Sequence, residues 1–185
     1  MSKLTSKLTP KDKFIVLFLL KALLLYIVWF CIYDLWLKKL GVLDNLITDN
    51  LVYLSVQFLN IFDYILYVDY HKVGIHGAYA IVIVGRGCNA VELFALFAGF
   101  ILVFEGNWKH KIWFIPLGIL FIHTLNVGRI LSLIFIGTVS KSLLEFNHKY
   151  TFTIVMYIIT FIGWMIWVKY FSSKSSLENE NTKSQ

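Results

Sequence analysis

The chain is 185 residues long, 58% hydrophobic, 17% aromatic and only 15% charged. Soluble domains carry roughly 25% charge, so the composition excludes an ordinary soluble domain and points to one membrane domain of a few spanning helices. The net charge of +6 falls largely in the tails and short loops, which suits membrane topology and contact with anionic lipid; no nucleic-acid-binding module is visible.

The basic start MSKLTSKLTPKDK leads into the apolar run Phe14–Leu37. A cleaved signal peptide has an apolar core of about 7–15 residues and a small-residue cleavage site. This run is longer and lacks the site, so it reads as an uncleaved first span. Lys21 snorkels near its inner end, Asp34, Trp36, Lys38 and Lys39 mark the far interface, and Gly41 ends the helix. In Leu46–Leu66 the polar residues Asp49, Asn50, Gln57, Asn60 and Asp63 interrupt an apolar series. That pattern predicts an amphipathic helix on the outer membrane face, with spanning as the alternative.

Tyr67–Val84 is rich in β-branched and aromatic residues around Gly74 and Gly77, and reads as a small β-hairpin. It ends at Gly85-Arg86-Gly87 and delivers Cys88 to the next helix. Asn89–Phe104 makes a short span of about 24 Å at 1.5 Å per residue. Ile112–Ser140 exceeds one span and must tilt, kink or extend into the outer interface, with Pro116 and Gly128 as bend points. Tyr150–Lys169 is the last span, and the polar tail over 172–185 reads as disordered and cytoplasmic. The expected fold is an all-α integral membrane protein: about four transmembrane helices, an outer-face amphipathic helix and a small β-hairpin, in a single domain over residues 1–171. Four crossings place both termini in the cytoplasm. The lysines and arginines divide almost evenly between the two sides, so this orientation leans on the residues described next.

Three polar residues stand at the edges of apolar segments, at one outer depth: Cys88 in GRGCNAVELF, Arg129 in HTLNVGRILSLIF and His148 in EFNHKYTF. Arg129 is about 26 Å up its helix, level with the Cys88 end of the preceding span. A thiolate is the nucleophilic form of cysteine, favoured by positive charge and a helix N-terminus. Arg86 is adjacent and Asn89 is a plausible cap. His148 can take and return a proton, and Arg129 can stabilise a tetrahedral oxyanion. Taken singly, each has a plainer reading: a small buried hydrophobe, a snorkelling arginine, an interface histidine. Together on one face they point to acyl transfer through a thioester.

Glu92, one turn after Cys88, is expected on the same helix face with Arg86 or Arg129 as its partner. Asn126, one turn before Arg129, is expected to orient it. His123 is expected to bond a neighbouring helix, and Cys31 to pack in the interior. Lys141, Glu145 and Lys149 read as a solvated rim; Asp63 and Asp69 read as a solvated face, or as a contact for a basic substrate segment. There is no CxxC, and the five histidines lack ligand spacing. Neither a dithiol mechanism, a metal nor another cofactor is expected.

The ordered Cys, Arg and His, with LNVGRI in one span and NHKYTFTIVMYIITFIGW opening the last, resemble the exosortase/archaeosortase family of membrane cysteine transpeptidases, in particular its short exosortase F type. The resemblance runs from about Leu46 to Phe171. It departs at the nucleophile, where the usual Ala-Cys-Ser-Gly is replaced by Gly87-Cys88-Asn89-Ala90. The resemblance implies Cys88, Arg129 and His148 as active-site residues on the outer face of the cytoplasmic (inner) membrane. It implies as substrates secreted proteins with a C-terminal signal of short motif, transmembrane helix and basic cluster, passed to an unidentified acceptor. Two other readings stay open: a non-catalytic membrane subunit of an export or polysaccharide-assembly system, and a small transporter with Glu92, His123 and Arg129 along a polar path. The latter has too few spans for an evident inverted repeat.

Overall fold

A computed structural model of the chain describes residues 10–172. The basic segment 1–9, and the tail beyond Ser172 that the sequence marks as disordered, lie outside the described residues. Long runs of Leu, Ile and Phe favour helix and must bury or lipidate their apolar surface. The first, α1 (Pro10–Trp29), continues through π-helical turns at Phe30–Leu37 and one α turn at Lys38–Leu40. Gly41 stops it with φ +68°, a left-handed conformation that glycine adopts without a Cβ clash. Helix α2 (Val42–Asn60) begins at once. Helices α3 (Val91–Val103) and α4 (Trp108–Gly137) follow the sheet. The last stretch runs from α5 (Lys141–Phe146) through a π turn at Asn147–Thr151 to α6 (Phe152–Trp167) and a π turn at Val168–Ser172.

Among the described residues, three stretches are long and apolar enough to cross a membrane: Ile15–Leu40, Trp108–Gly137 and Lys141–Ser172. The expected span Asn89–Phe104 is instead a helix of 13 residues, about 20 Å long against a hydrocarbon core of ~30 Å. It is shorter because Cys88, Asn89 and Ala90 form a turn outside it. The last helical stretch begins earlier than expected, so the rim residues Lys141 and Glu145, exposed and 3.9 Å apart, belong to it.

Helix α2 starts and stops before the expected Leu46–Leu66. Gly41 releases the chain early, and a turn through Asp63, at φ +55°, sends Leu66 into a strand. The expected hairpin is a three-stranded antiparallel sheet ordered β1 (Leu66–Asp69), β2 (Lys72–Ile75), β3 (Val82–Ile83). The turn at Tyr70, φ +51°, closes the first pair with Asp69 opposite Lys72. The segment after Gly77 then returns to add Val82 opposite Val73.

The sheet buries Val73, Val82 and Val84 with Leu51 and Leu59 of α2 and Ile130, Leu133 and Ile134 of α4, in one core that also holds Cys88. A second core joins α3, α4 and α6 around Phe97, Ile101, Ile122, Met156 and Trp167. Phe97 wedges between Gly118 and Gly163: a Cβ at either would approach its ring to 2.2 or 2.9 Å. Small residues at such crossings let helix backbones close on a large neighbour. At the other end, Lys111 is buried and donates to the carbonyls of Leu102 and Phe104 at 3.0 and 2.7 Å. It thereby satisfies carbonyls that the end of α3 leaves free.

Candidate active site

The loop that carries Cys88 is held from three sides. The amide of Cys88 donates to Gly85 C=O at 2.8 Å, closing a tight turn. Asn126 of α4, fully buried, donates from Nδ2 to Cys88 C=O at 2.6 Å. Asn89 accepts the Val91 N–H on Oδ1 at 3.1 Å and donates from Nδ2 to Asp44 Oδ1 at 2.6 Å. Asn89 thus satisfies an orphan donor at the start of α3, as its position suggests. The intervening Ala90 takes φ +61°, a left-handed conformation that costs a residue with a Cβ roughly 1–2 kcal/mol.

The Asp44 carboxylate is 1% exposed. It accepts from Tyr33 Oη at 2.9 Å as well as from Asn89, while Oδ2 has no partner. Its role is not visible in the sequence: an acid three residues after a helix-ending glycine is an ordinary first-turn residue that favours the helix dipole. Only the packing of α1 and α2 behind the loop makes it a buried anchor.

His148 occupies the π turn between α5 and α6, inside the helix and not just before it. Its carbonyl accepts from Thr153 Oγ1, five residues on, at 3.3 Å. Wide π turns re-aim side chains and recur at functional sites. Here the half-buried ring reaches Cys88 Sγ with Nε2 at 2.8 Å, across 60 residues of sequence. Among the described residues no carboxylate bonds the His148 ring, so the pair is a dyad. Arg129 is buried in α4, its Nε without a hydrogen-bond partner among the described residues, and it lies near His148. A cleft of about 90 Å³ adjoins the loop, lined by Arg86, Asn89, Glu92, Arg129, Met156 and Tyr157 among others.

Some supporting residues stand elsewhere than expected. Asn126 holds the Cys88 carbonyl and does not orient Arg129. Glu92 does not share a face with Cys88, because the helix starts only at Val91. Its side chain is 75% exposed and lies 3.9 Å from Lys38, not against an arginine. Arg86 lines the cleft as its proximity to Cys88 suggests. His123 bonds across to another helix, Nε2 to Asn50 Oδ1 at 2.8 Å. Asp69 pairs with Lys72 at 3.0 Å. Cys31 is exposed on the outside of α1's π-helical continuation; both it and Cys88 are free thiols.

This arrangement offers a thiol beside an imidazole, a guanidinium with unspent hydrogen-bonding capacity and an adjoining cleft. It can deprotonate the thiol, receive a negative oxygen and return a proton. Comparison of the chain with protein-family models, with curated proteins and with solved structures finds no match.

Proposed function

We propose that the protein is a membrane cysteine peptidase or transpeptidase of the exosortase kind, acting through a thioester on Cys88. The observation that carries this reading is the 2.8 Å contact between Cys88 Sγ and His148 Nε2, with the buried, incompletely bonded Arg129 beside it. Thiol and imidazole at hydrogen-bond distance are what nucleophilic catalysis requires.

His148 takes the thiol proton. The thiolate attacks the scissile carbonyl carbon, and the electron pair moves to oxygen, where Arg129 meets the charge. Collapse breaks the C–N bond, His148 passes its proton to the leaving amine, and a thioester remains. An acceptor (water, an amine or a lipid-linked group) then attacks the thioester, gives its proton to His148 and restores the thiol.

The substrates are secreted proteins carrying a C-terminal motif, a membrane helix and a basic cluster, cleaved at the outer face of the cytoplasmic membrane. In this reading α1, α3, α4 and the Lys141–Ser172 stretch cross the bilayer, with α2 and the sheet on the outer side and both termini inside. The short α3 is completed at that side by the nucleophile loop. The test is mass spectrometry of C-terminal processing in wild-type and Cys88→Ala cells of the native host. Loss of cleavage in proteins sharing a C-terminal helix and basic tail is the expected result. Unchanged processing with the variant at normal level would favour the non-catalytic membrane subunit.

A further inference from the structure

Strand β3 is an edge: the order β1-β2-β3 leaves one side of Val82–Ile83 without a partner strand. The ladder determines which main-chain groups face that side. Val84 N–H donates to His71 C=O at 2.8 Å, and Lys72 lies opposite Ile83 with Val73 opposite Val82. Hydrogen-bonded and non-hydrogen-bonded pairs alternate along an antiparallel ladder. Val82 and Val84 therefore turn their amides into the sheet, and Ile83 turns its N–H and C=O outward. A second observation gives the same direction: Cys88 Sγ lies 3.9 Å from the Ile83 carbonyl oxygen.

That edge is open. Ile83 is 65% exposed, and a Cβ at Gly85 or Gly87 would meet nothing within 4 Å. Free edges template pairing with another chain and are normally blunted by lysine, proline or cover. Val82-Ile83-Val84-Gly85 has no such residue. Glycine at the end of a strand marks places where a second backbone approaches closely.

We propose that the substrate binds as a fourth strand, an extended polypeptide segment pairing through its own main chain with Ile83 N–H and C=O. The register then draws the scissile carbonyl past Cys88 Sγ. This inference rests on the acyl-transfer reading of Cys88 and His148 and adds its mode of substrate binding. A peptide bond inside a helix has its amide and carbonyl engaged, whereas strand addition holds the bond extended with one face free for the thiol. Pairing by main chain supplies affinity largely independent of sequence, and alternate side chains supply selectivity.

The full-length protein in detergent micelles tests this at pH 7, by mass spectrometry that resolves Cys88 from Cys31. The probes are acetyl-tetraalanyl chloromethyl ketone and chloroacetone, the same electrophile without a peptide. Each main-chain hydrogen bond is worth on the order of fivefold, so the peptide reagent should alkylate Cys88 at least ~10-fold faster than chloroacetone. N-methylation of the one alanine whose N–H meets the Ile83 carbonyl should cut that advantage about fivefold, and N-methylation of its neighbours should leave it. Ile83→Pro deletes an N–H that makes no ladder bond, so the edge tolerates it. It should lower the ratio of peptide to chloroacetone rates about fivefold, while Ile83→Ala keeps that ratio. Cys88 reacting with chloroacetone but showing no peptide advantage, or N-methyl effects equal at every position, overturns strand addition alone. Cys88 inert to both reagents overturns the nucleophile reading together with this inference.

Discussion

Asp44 and Asn89 lie 45 residues apart in sequence and share a 2.6 Å hydrogen bond behind the nucleophile loop. The carboxylate is buried, and the Tyr33 hydroxyl shares the same oxygen. This bond couples the amino-terminal helices to the position of Cys88. Asp44→Ala strands the Tyr33 and Asn89 donors in a dry environment, which costs about 1–3 kcal/mol per unsatisfied group. The expected result is a lower unfolding temperature together with slower alkylation of Cys88. Asp44→Asn keeps an accepting oxygen and should do less harm to both. A normal alkylation rate in Asp44→Ala would show that Asn126 and the Gly85 turn suffice to hold the loop.

His148 and Arg129 should separate by which step they serve. His148→Ala removes the group that takes the thiol proton, so the rate of Cys88 alkylation at neutral pH should fall by more than tenfold, within the 100- to 10,000-fold typical of general-base loss. Arg129→Met leaves the thiol and imidazole in place. It should reduce substrate turnover by roughly 100- to 1,000-fold, as loss of an oxyanion donor does. Circular dichroism of both variants, together with turnover of a processed substrate, checks the pair. An Arg129→Met enzyme with unchanged turnover would remove Arg129 from the mechanism.

Ala90 is held at φ +61° between Asn89 and the start of α3. Glycine adopts that conformation without the Cβ penalty. Ala90→Gly should therefore stabilise the protein by about 1 kcal/mol, seen as a higher midpoint in thermal unfolding, with Cys88 reactivity preserved.

Phe97 and Gly118 form the tightest crossing between α3 and α4. A Cβ at position 118 would come within 2.2 Å of the Phe97 ring, so Gly118→Ala should overpack the core and cost about 1–3 kcal/mol. Phe97→Leu removes part of the obstructing ring and is destabilising alone. The double variant should be more stable than the sum of the two losses, because contacting residues couple by about 0.5–3 kcal/mol. Additive losses in a thermal double-mutant cycle would mean that the helices simply move apart.

Much of the architecture was legible because the membrane imposes a coarse rule. Apolar runs long enough to cross hydrocarbon announce themselves, as the stretches Ile15–Leu40 and Trp108–Gly137 do. Cys88, Arg129 and His148 stood out as polar residues at the margins of such runs. The expected hairpin already covered Val82 and Ile83; what was not legible was the turn at Tyr70 that divides its first half into β1 and β2, because tyrosine and histidine carry no turn signal. Nor was the outward turn of Glu92, which depends on α3 beginning at Val91 and not at Asn89.

By itself the sequence determined a helical, apolar chain with a cysteine, an arginine and a histidine at the margins of its apolar runs, because hydropathy and composition act along the chain. Tertiary structure alone decided what those residues touch. A π turn places His148 Nε2 against Cys88 Sγ, α4 brings Asn126 to the Cys88 carbonyl, and α2 buries Asp44 under Asn89. Ladder parity turns Ile83 toward the thiol. Contacts between segments dozens of residues apart depend on helix starts, wide turns and strand register, where a shift of one residue redirects every side chain that follows.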